Sequence, residues 1–360
     1  MVATQLLAWM EQLIAEGGSD LHLSANASPY GRFNGNLRAM AEFKIEANES
    51  KQLIFSLLNN EQKAYLEAKL ELDCAYELGN KARFRLNAYK EKGCYAACLR
   101  CLGEGVPRFE QLGLAAELQS ICERTNGLIL VTGPTGSGKS STLAALIEHI
   151  NQTRPDHIIT VEDPIEFIYK SARSLIHQRE LGSDTQSYAN ALRAALREDP
   201  DVIMVGELRD LETIQLAITA AETGHLVFAT LHTNSASQTI DRIVDVFPAE
   251  QQSQIRIQLS SSLLAIFSQL LCQPSNFKAG CHGRVLAQEI LINTPAIANL
   301  IREGKTAQIY SQLQTGSLHG MNTMEQSLAK LVNNNQISLQ VALNKATKPT
   351  ELNQLLTSQL

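Results

Sequence analysis

The sequence has 360 residues, 44% hydrophobic and 19% charged, a globular composition at a length that predicts two domains, each able to bury a core. A formal net charge of −6 gives no basic footprint for DNA or RNA, so nucleic acid is not an expected partner. No apolar run approaches the roughly 18–20 residues that span a bilayer, and seven scattered cysteines, an odd number, fit a reducing, cytoplasmic setting.

The opening MVATQLLAWMEQLIAEGG is too acidic for a signal peptide and reads as an amphipathic helix over residues 3–16. LHLSA and YGRFNGNLRAM follow as strands, with the Asn34-Gly35 pair marking a hairpin. SKQLIFSLLNNEQKAYLEAKL reads as a helical stretch. DCAYELGNKARFRLNAYKEKGCYAACLRCL then supplies short strands broken at Gly79-Asn80 and Lys92-Gly93. On the last strand Cys94 and Cys98 share one face and Cys101 takes the other. With no fourth ligand nearby, buried thiols are expected there rather than a metal site. Residues 1–103 thus read as a small α+β domain, and the Gly- and Pro-containing residues 104–114 as a linker.

From residue 115 the pattern changes. GLILVTG, HIITVED, VIMVGE and HLVFATLH are short apolar runs alternating with helical segments, the signature of an α/β domain with a parallel sheet and crossover helices. From about residue 250 the sequence reads as mostly helical to its end, with GRVLAQEILI as one further strand.

GPTGSGKSS follows the first of these strands and precedes the helical TLAALIEHI. Gly133, Gly138, Lys139 and Ser140 match the phosphate-binding loop pattern at its required spacing. The expected nucleotide cradle is Gly133, Pro134, Thr135, Gly136, Ser137, Gly138, Lys139, Ser140 and Ser141, with backbone N–H groups and the positive end of the helix on the phosphates. Lys139 is expected to neutralise the β- and γ-phosphates of ATP, and Ser140 to give an oxygen to Mg²⁺.

Hydrolysis needs a positioned base and charge stabilisation at the γ-phosphate. Ligands of an open parallel sheet gather at the carboxyl ends of its strands. TVEDPIEF brings Glu162, Asp163 and Glu166 to one such end, VIMVGE brings Glu207, and GHLVFATLHTNSA brings His232, whereas His225 starts its strand and belongs to the far end. Asp163, before a proline, serves equally well as a turn former, and His225 as a plain strand-start residue. In DVIMVGELRD, Gly206 stands where many ATP-hydrolysing sheets carry a metal-holding acid, which leaves Glu207 as the favoured base.

GPTGSGKSSTLAALI, ITVEDPIEF, LREDPDVIMVGELRDLETIQLAITAAETGHLVFATLHTNSA and DRIVDVFP resemble the secretion and pilus motor ATPases, and more narrowly the type IV pilus retraction ATPases. The likeness runs over nearly the whole chain, from SDLHLS to LIREGK. It implies a PAS-like α+β N-terminal domain and a RecA-like ATPase domain over 115–360 with a helical C-terminal region, ATP between the two domains, and nucleotide-driven movement of one against the other in a homo-hexamer. It assigns Glu207 as the Walker B acid, Glu162, Asp163 and Glu166 as the aspartate box, and His225 and His232 as the histidine box. N-terminal-domain arginines that approach the phosphates in such motors fall on Arg83, Arg85 and Arg100, although a solvated strand face would read alike. The implied partners are an inner-membrane pilus platform protein and a paralogous retraction ATPase, and the implied location is the cytoplasmic side of that membrane at the pilus base. Of the aspartate-box acids, Glu162 and Glu166 are equal candidates to assist Mg²⁺. The chain departs from the family at AIANLIRE (296–303), where Ala298 replaces the arginine of AIRNLIRE and Arg302 is kept. The longer N-terminal region and four-cysteine zinc site of the extension and secretion relatives are not expected, since Cys272 and Cys281 alone are too few.

Overall fold

A computed structural model describes residues 2–33, 35–79, 81–102, 105–275 and 283–357. The first compact unit runs to Gly105. It comprises α1 (Val2–Ala15), β1 (Asp20–Leu23), β2 (Tyr30–Phe33), β3 (Asn36–Ala39), α2 (Ala47–Ser56), α3 (Asn60–Lys69), β4 (Glu71–Leu78), β5 (Ala82–Glu91) and β6 (Cys94–Leu102). Its antiparallel sheet has the order β3-β2-β1-β6-β5-β4. Phe33 pairs with Asn36 across the hairpin expected at Asn34-Gly35; residue 34 itself, like residue 80 in the next turn, lies outside the described residues. Lys92 and Gly93 both have positive φ, 48° and 82°, the twist that a two-residue hairpin requires. The helical stretch over 50–70 is in fact two helices. The first ends at Ser56 with Leu57 as its cap; Asn59 then accepts the Gln62 N–H, while the Gln62 side chain returns a bond to the Asn59 N–H, a reciprocal cap that starts α3. Leu6, Met10 and Leu13 of α1 are buried in one core with Leu21, Phe84 and Leu99.

The second unit begins at Val106. It contains α4 (Ala116–Ile121), β7 (Gly127–Thr132), α5 (Lys139–Thr153), β8 (His157–Glu162), β9 (Leu175–Glu180), α6 (Tyr188–Ala195) and β10 (Val202–Val205). There follow α7 (Leu211–Glu222), β11 (Leu226–Leu231), α8 (Ala236–Asp245), α9 (Ala249–Ser262), β12 (Leu263–Cys272) and β13 (Val285–Ile292). The helices α10 (Pro295–Arg302), α11 (Ile309–Thr315), α12 (Met324–Asn333), α13 (Leu339–Lys345) and α14 (Pro349–Thr357) complete it. The sheet order is β13-β12-β7-β11-β10-β8-β9, parallel throughout except for β12 against β13.

Two strands correct the sequence reading. LLAIFSQLLC was expected to continue the helical region, yet it forms β12, beside β7 with Ser268 opposite Thr132. A strand covered on both faces is a nearly continuous apolar run, which periodicity does not separate from a buried helix. LIHQRE forms the edge strand β9, whose mixed polar side chains carry no apolar signal. The sheet is covered on one face by α5, through Leu143, Leu146, Ile147 and Ile150, and on the other by α6 to α9. Each such aliphatic side chain contributes about 1.5–3 kcal/mol on burial, so packing rather than helix propensity anchors α5 and the lysine at its start. Ile297 and Ile301 of α10 join the core on the α6 to α9 face, and α12 to α14 gather around Cys272 and Leu328.

Candidate nucleotide site

The fully buried strand β7 ends in the loop 133–138, and α5 starts from it at Lys139. Gly133 has φ +142°, and a Cβ there would fall 2.4 Å from the Gln269 carbonyl oxygen and 2.6 Å from Ser137 Oγ. Only glycine fits so tight a path. Ser137 Oγ is buried without a hydrogen-bond partner among the described residues, an unspent polar group inside the loop. Lys139, 9% exposed, donates Nζ to the carbonyls of Gly133 (2.9 Å) and Pro134 (3.1 Å). Burial lowers its pKa, and the charges of Glu207 and Glu166 act in the opposite direction. Its ammonium therefore lies in the field of both carboxylates. Ser140 is exposed in the first turn of α5. A tight glycine cradle, an unspent hydroxyl and a buried cation at a helix N-terminus are the fittings of a polyphosphate site.

The acids stand at the ends of β8 and β10, strands that pair with each other in parallel. Glu162 is 8% exposed, and burial pushes its carboxyl up to about 7, against the bonds it accepts from Thr160 Oγ1 (2.8 Å) and Gln178 Nε2 (3.2 Å). Glu166 is half-buried and Asp163 exposed. Glu207 follows β10, and its carboxylate accepts from Arg209 Nε at 2.8 Å and meets His232 Nε2 at 3.4 Å. Arg209 also reaches Asp163 at 3.6 Å, which links the ends of β8 and β10.

Gly206 explains its own lack of a carboxylate. Its N–H donates to the Val161 carbonyl at 2.8 Å, and its carbonyl accepts from Thr230 Oγ1. A Cβ at this position would stand 3.2 Å from both Tyr188 Oη and the Val161 oxygen, and 3.5 Å from Glu162 Cα. Beside the end of β8 there is little room for a second acid.

His232 thus meets Glu207, whereas His225 does not. His225 precedes β11 at the opposite end of the strand, where its Nδ1 lies 3.0 Å from the Ala220 carbonyl and its own carbonyl accepts the Gly127 N–H. Arg83, Arg85 and Arg100 belong to the first unit, and each pairs there with a carboxylate: Glu77 at 3.2 Å, Asp73 at 3.0 Å and Asp20 at 2.8 Å. Cys94, Cys98 and Cys101 lie along β6, and among the described residues no group of three or more side chains could hold a metal ion. Cys281 lies outside the described residues. Ala298 is half-buried in α10, and Arg302 Nε approaches Ser260 Oγ at 3.5 Å.

Sequence reasoning passed over the residues that hold the loop from β12. Gln269, 1% exposed, exchanges bonds with Thr142 Oγ1 of α5, and Ser268 accepts from Thr132 Oγ1 at 2.9 Å. It also passed over Gln178 and Glu180 of β9, the latter accepting the Ile165 N–H at 3.0 Å within the aspartate-box turn. The Ser-Gln pair inside an otherwise apolar ten-residue run was the available signal, because buried polar side chains need fixed partners.

A family model for type II/IV secretion system proteins matches residues 1–354. The Pseudomonas aeruginosa type IV pilus retraction ATPase PilT is 48% identical over 349 residues, spanning 97% of this chain and 99% of that protein. A Neisseria gonorrhoeae twitching motility protein is 50% identical over 322 residues, 89% of this chain and 85% of that one. The crystal structure of the pilus retraction motor PilT with bound ADP superposes with a TM-score of 0.90 at 47% identity, covering 97% of this chain and 98% of that chain. The fold is accordingly an N-terminal domain followed by a RecA-like ATPase domain.

Proposed function

We propose that this chain, which belongs to the type II/IV secretion system protein family, is an ATP-hydrolysing motor that powers retraction of type IV pili and hence twitching motility. The observation that carries the proposal is the convergence of Lys139, Glu166, Glu207 and His232 at the carboxyl ends of parallel strands, on a chain matched end to end by a retraction ATPase. Loop N–H groups and Lys139 take the β- and γ-phosphates. Glu207, oriented by Arg209 and His232, aligns the attacking water and accepts its proton. Ser140 and Glu166 are the residues that would hold Mg²⁺, which when bound supplies positive charge to the phosphate oxygens. Glu166 is preferred over Glu162 because Glu162 is engaged by Thr160 and Gln178.

The motor works as a homo-hexamer on an inner-membrane platform protein, with a paralogous retraction ATPase as a further partner. Among the described residues no helix is long and apolar enough to cross a membrane, so contact with the inner membrane at the pilus base comes through that platform. Deleting the gene tests the reading directly. Excess pili without surface movement are expected. Loss of pili would assign the chain to extension instead, and normal pili with lost secretion to a secretion system.

A further inference from the structure

Two buried carboxylates outside the nucleotide site are unused by this mechanism. Glu289 lies on β13 and is 4% exposed, and Glu325 lies on α12 and is 1% exposed. An uncompensated buried carboxylate is costly, so their partners show what they hold. Glu289 Oε1 accepts the Ala236 N–H, the first residue of α8, at 2.7 Å. The backbone N–H of Met324, the first residue of α12, faces the same carboxylate and lowers its pKa. One side chain therefore holds the start of α8 and faces the start of α12. Burial pushes its carboxyl up to about 7, and those N–H groups pull it back.

Each helix leads somewhere definite. The start of α8 is four residues past His232, and Thr233 Oγ1 bonds Thr239 Oγ1 at 2.7 Å, which fastens the connecting loop to α8. His232 in turn stands 3.4 Å from Glu207. On the other side, Glu325 Oε1 accepts the N–H groups of Thr347 and Lys348 at 3.1 and 2.9 Å, just before α14, and Oε2 accepts from Tyr310 of α11. The backbone ahead of α12 is tied to β13 through reciprocal bonds between Ile290 and Asn322. Contacts and chain continuity together run from Glu207 through His232, α8 and Glu289 of β13 to α12, and from there to α11 and α14.

We propose that Glu289 is a positioning residue that ties the His232 loop, and through it Glu207, to the C-terminal helices. It holds His232 in register for catalysis and passes a shift of that loop on to α12. The proposal rests on the reading of Glu207 and His232 given above.

The test is Glu289→Gln. Its amide keeps one acceptor but puts an uncharged NH₂ where the second carboxylate oxygen stood between the starts of α8 and α12. A loss of about tenfold in kcat is expected, with KM for ATP within about twofold, since bonds to charged groups are worth about that much and the phosphate loop is untouched. In a double-mutant cycle with His232→Ala, the double variant should turn over no more slowly than the slower single variant. Additive losses, or wild-type kcat in Glu289→Gln, would overturn the proposal. Amide hydrogen exchange on the full wild-type chain needs no variant. Adding a non-hydrolysable ATP analogue should change protection at residues 236 and 324 together, and a change at 236 alone would overturn the coupling. Failure of the underlying site shows separately, as wild-type turnover in His232→Ala.

Discussion

Replacing Glu162 with glutamine removes a carboxyl that burial has pushed up to about 7 from its usual 4.5. That gap corresponds to about 3 kcal/mol. Below pH 4.5 folded and unfolded chains both hold the proton, and Glu162 costs nothing. Between pH 4.5 and 7 the unfolded chain releases the proton while the folded chain keeps it, so stability falls as pH rises. Above pH 7 the full cost is present. Glutamine does not titrate, so Glu162→Gln should gain about 3 kcal/mol on the wild type between pH 4 and pH 8, whatever its offset at pH 4. Glu289 titrates in the same range, but it is common to both proteins and cancels. The assay is urea-dependent hydrogen exchange of the β8 amides, because the single tryptophan, Trp9, reports on the first unit. A difference that stays flat from pH 4 to 8, or that shrinks, would refute the assignment of a desolvated carboxyl at the end of β8.

Two further substitutions address the geometry around the site. Gly206→Ala should lower stability by about 1–3 kcal/mol by pressing on Tyr188 and the Val161 carbonyl, read as a lower urea midpoint for the second unit; an unchanged midpoint would show that these neighbours do not exclude a Cβ. Gln269→Leu strands the buried Thr142 hydroxyl at a cost of about 1–3 kcal/mol and should weaken ATP binding in calorimetric titration, whereas unchanged affinity would show that β12 does not support the loop.

The phosphate loop was legible because its chemistry is local: glycines, Lys139 and Ser140 stand in one run between a strand and a helix. The strand-end acids were legible because apolar runs that stop at a carboxylate mark where each strand ends. The supports came from elsewhere in the chain. Gln269 meets Thr142 across 127 positions and Glu289 meets Ala236 across 53, and no spacing rule reaches so far. Reading β12 as helical hid Gln269, because a run that is apolar but for one Ser-Gln pair has no period to betray its state. The reason for Gly206 likewise lies in the fold rather than in its neighbours in sequence. The strand pattern of DVIMVGELRD shows that an acid is missing, but only the 3.2 Å approach of Tyr188 and Val161 shows why.

The central claim is that Glu207 acts on the attacking water while Lys139 and its loop bind the phosphates. Glu207→Gln separates the two roles when ATP affinity and single-turnover hydrolysis are measured on the same preparation. Affinity should stay within about threefold of wild type, while turnover should fall by about 10²–10⁴, the range for loss of a general base. Turnover at the wild-type rate, or loss of binding with turnover intact at saturating ATP, would contradict the account.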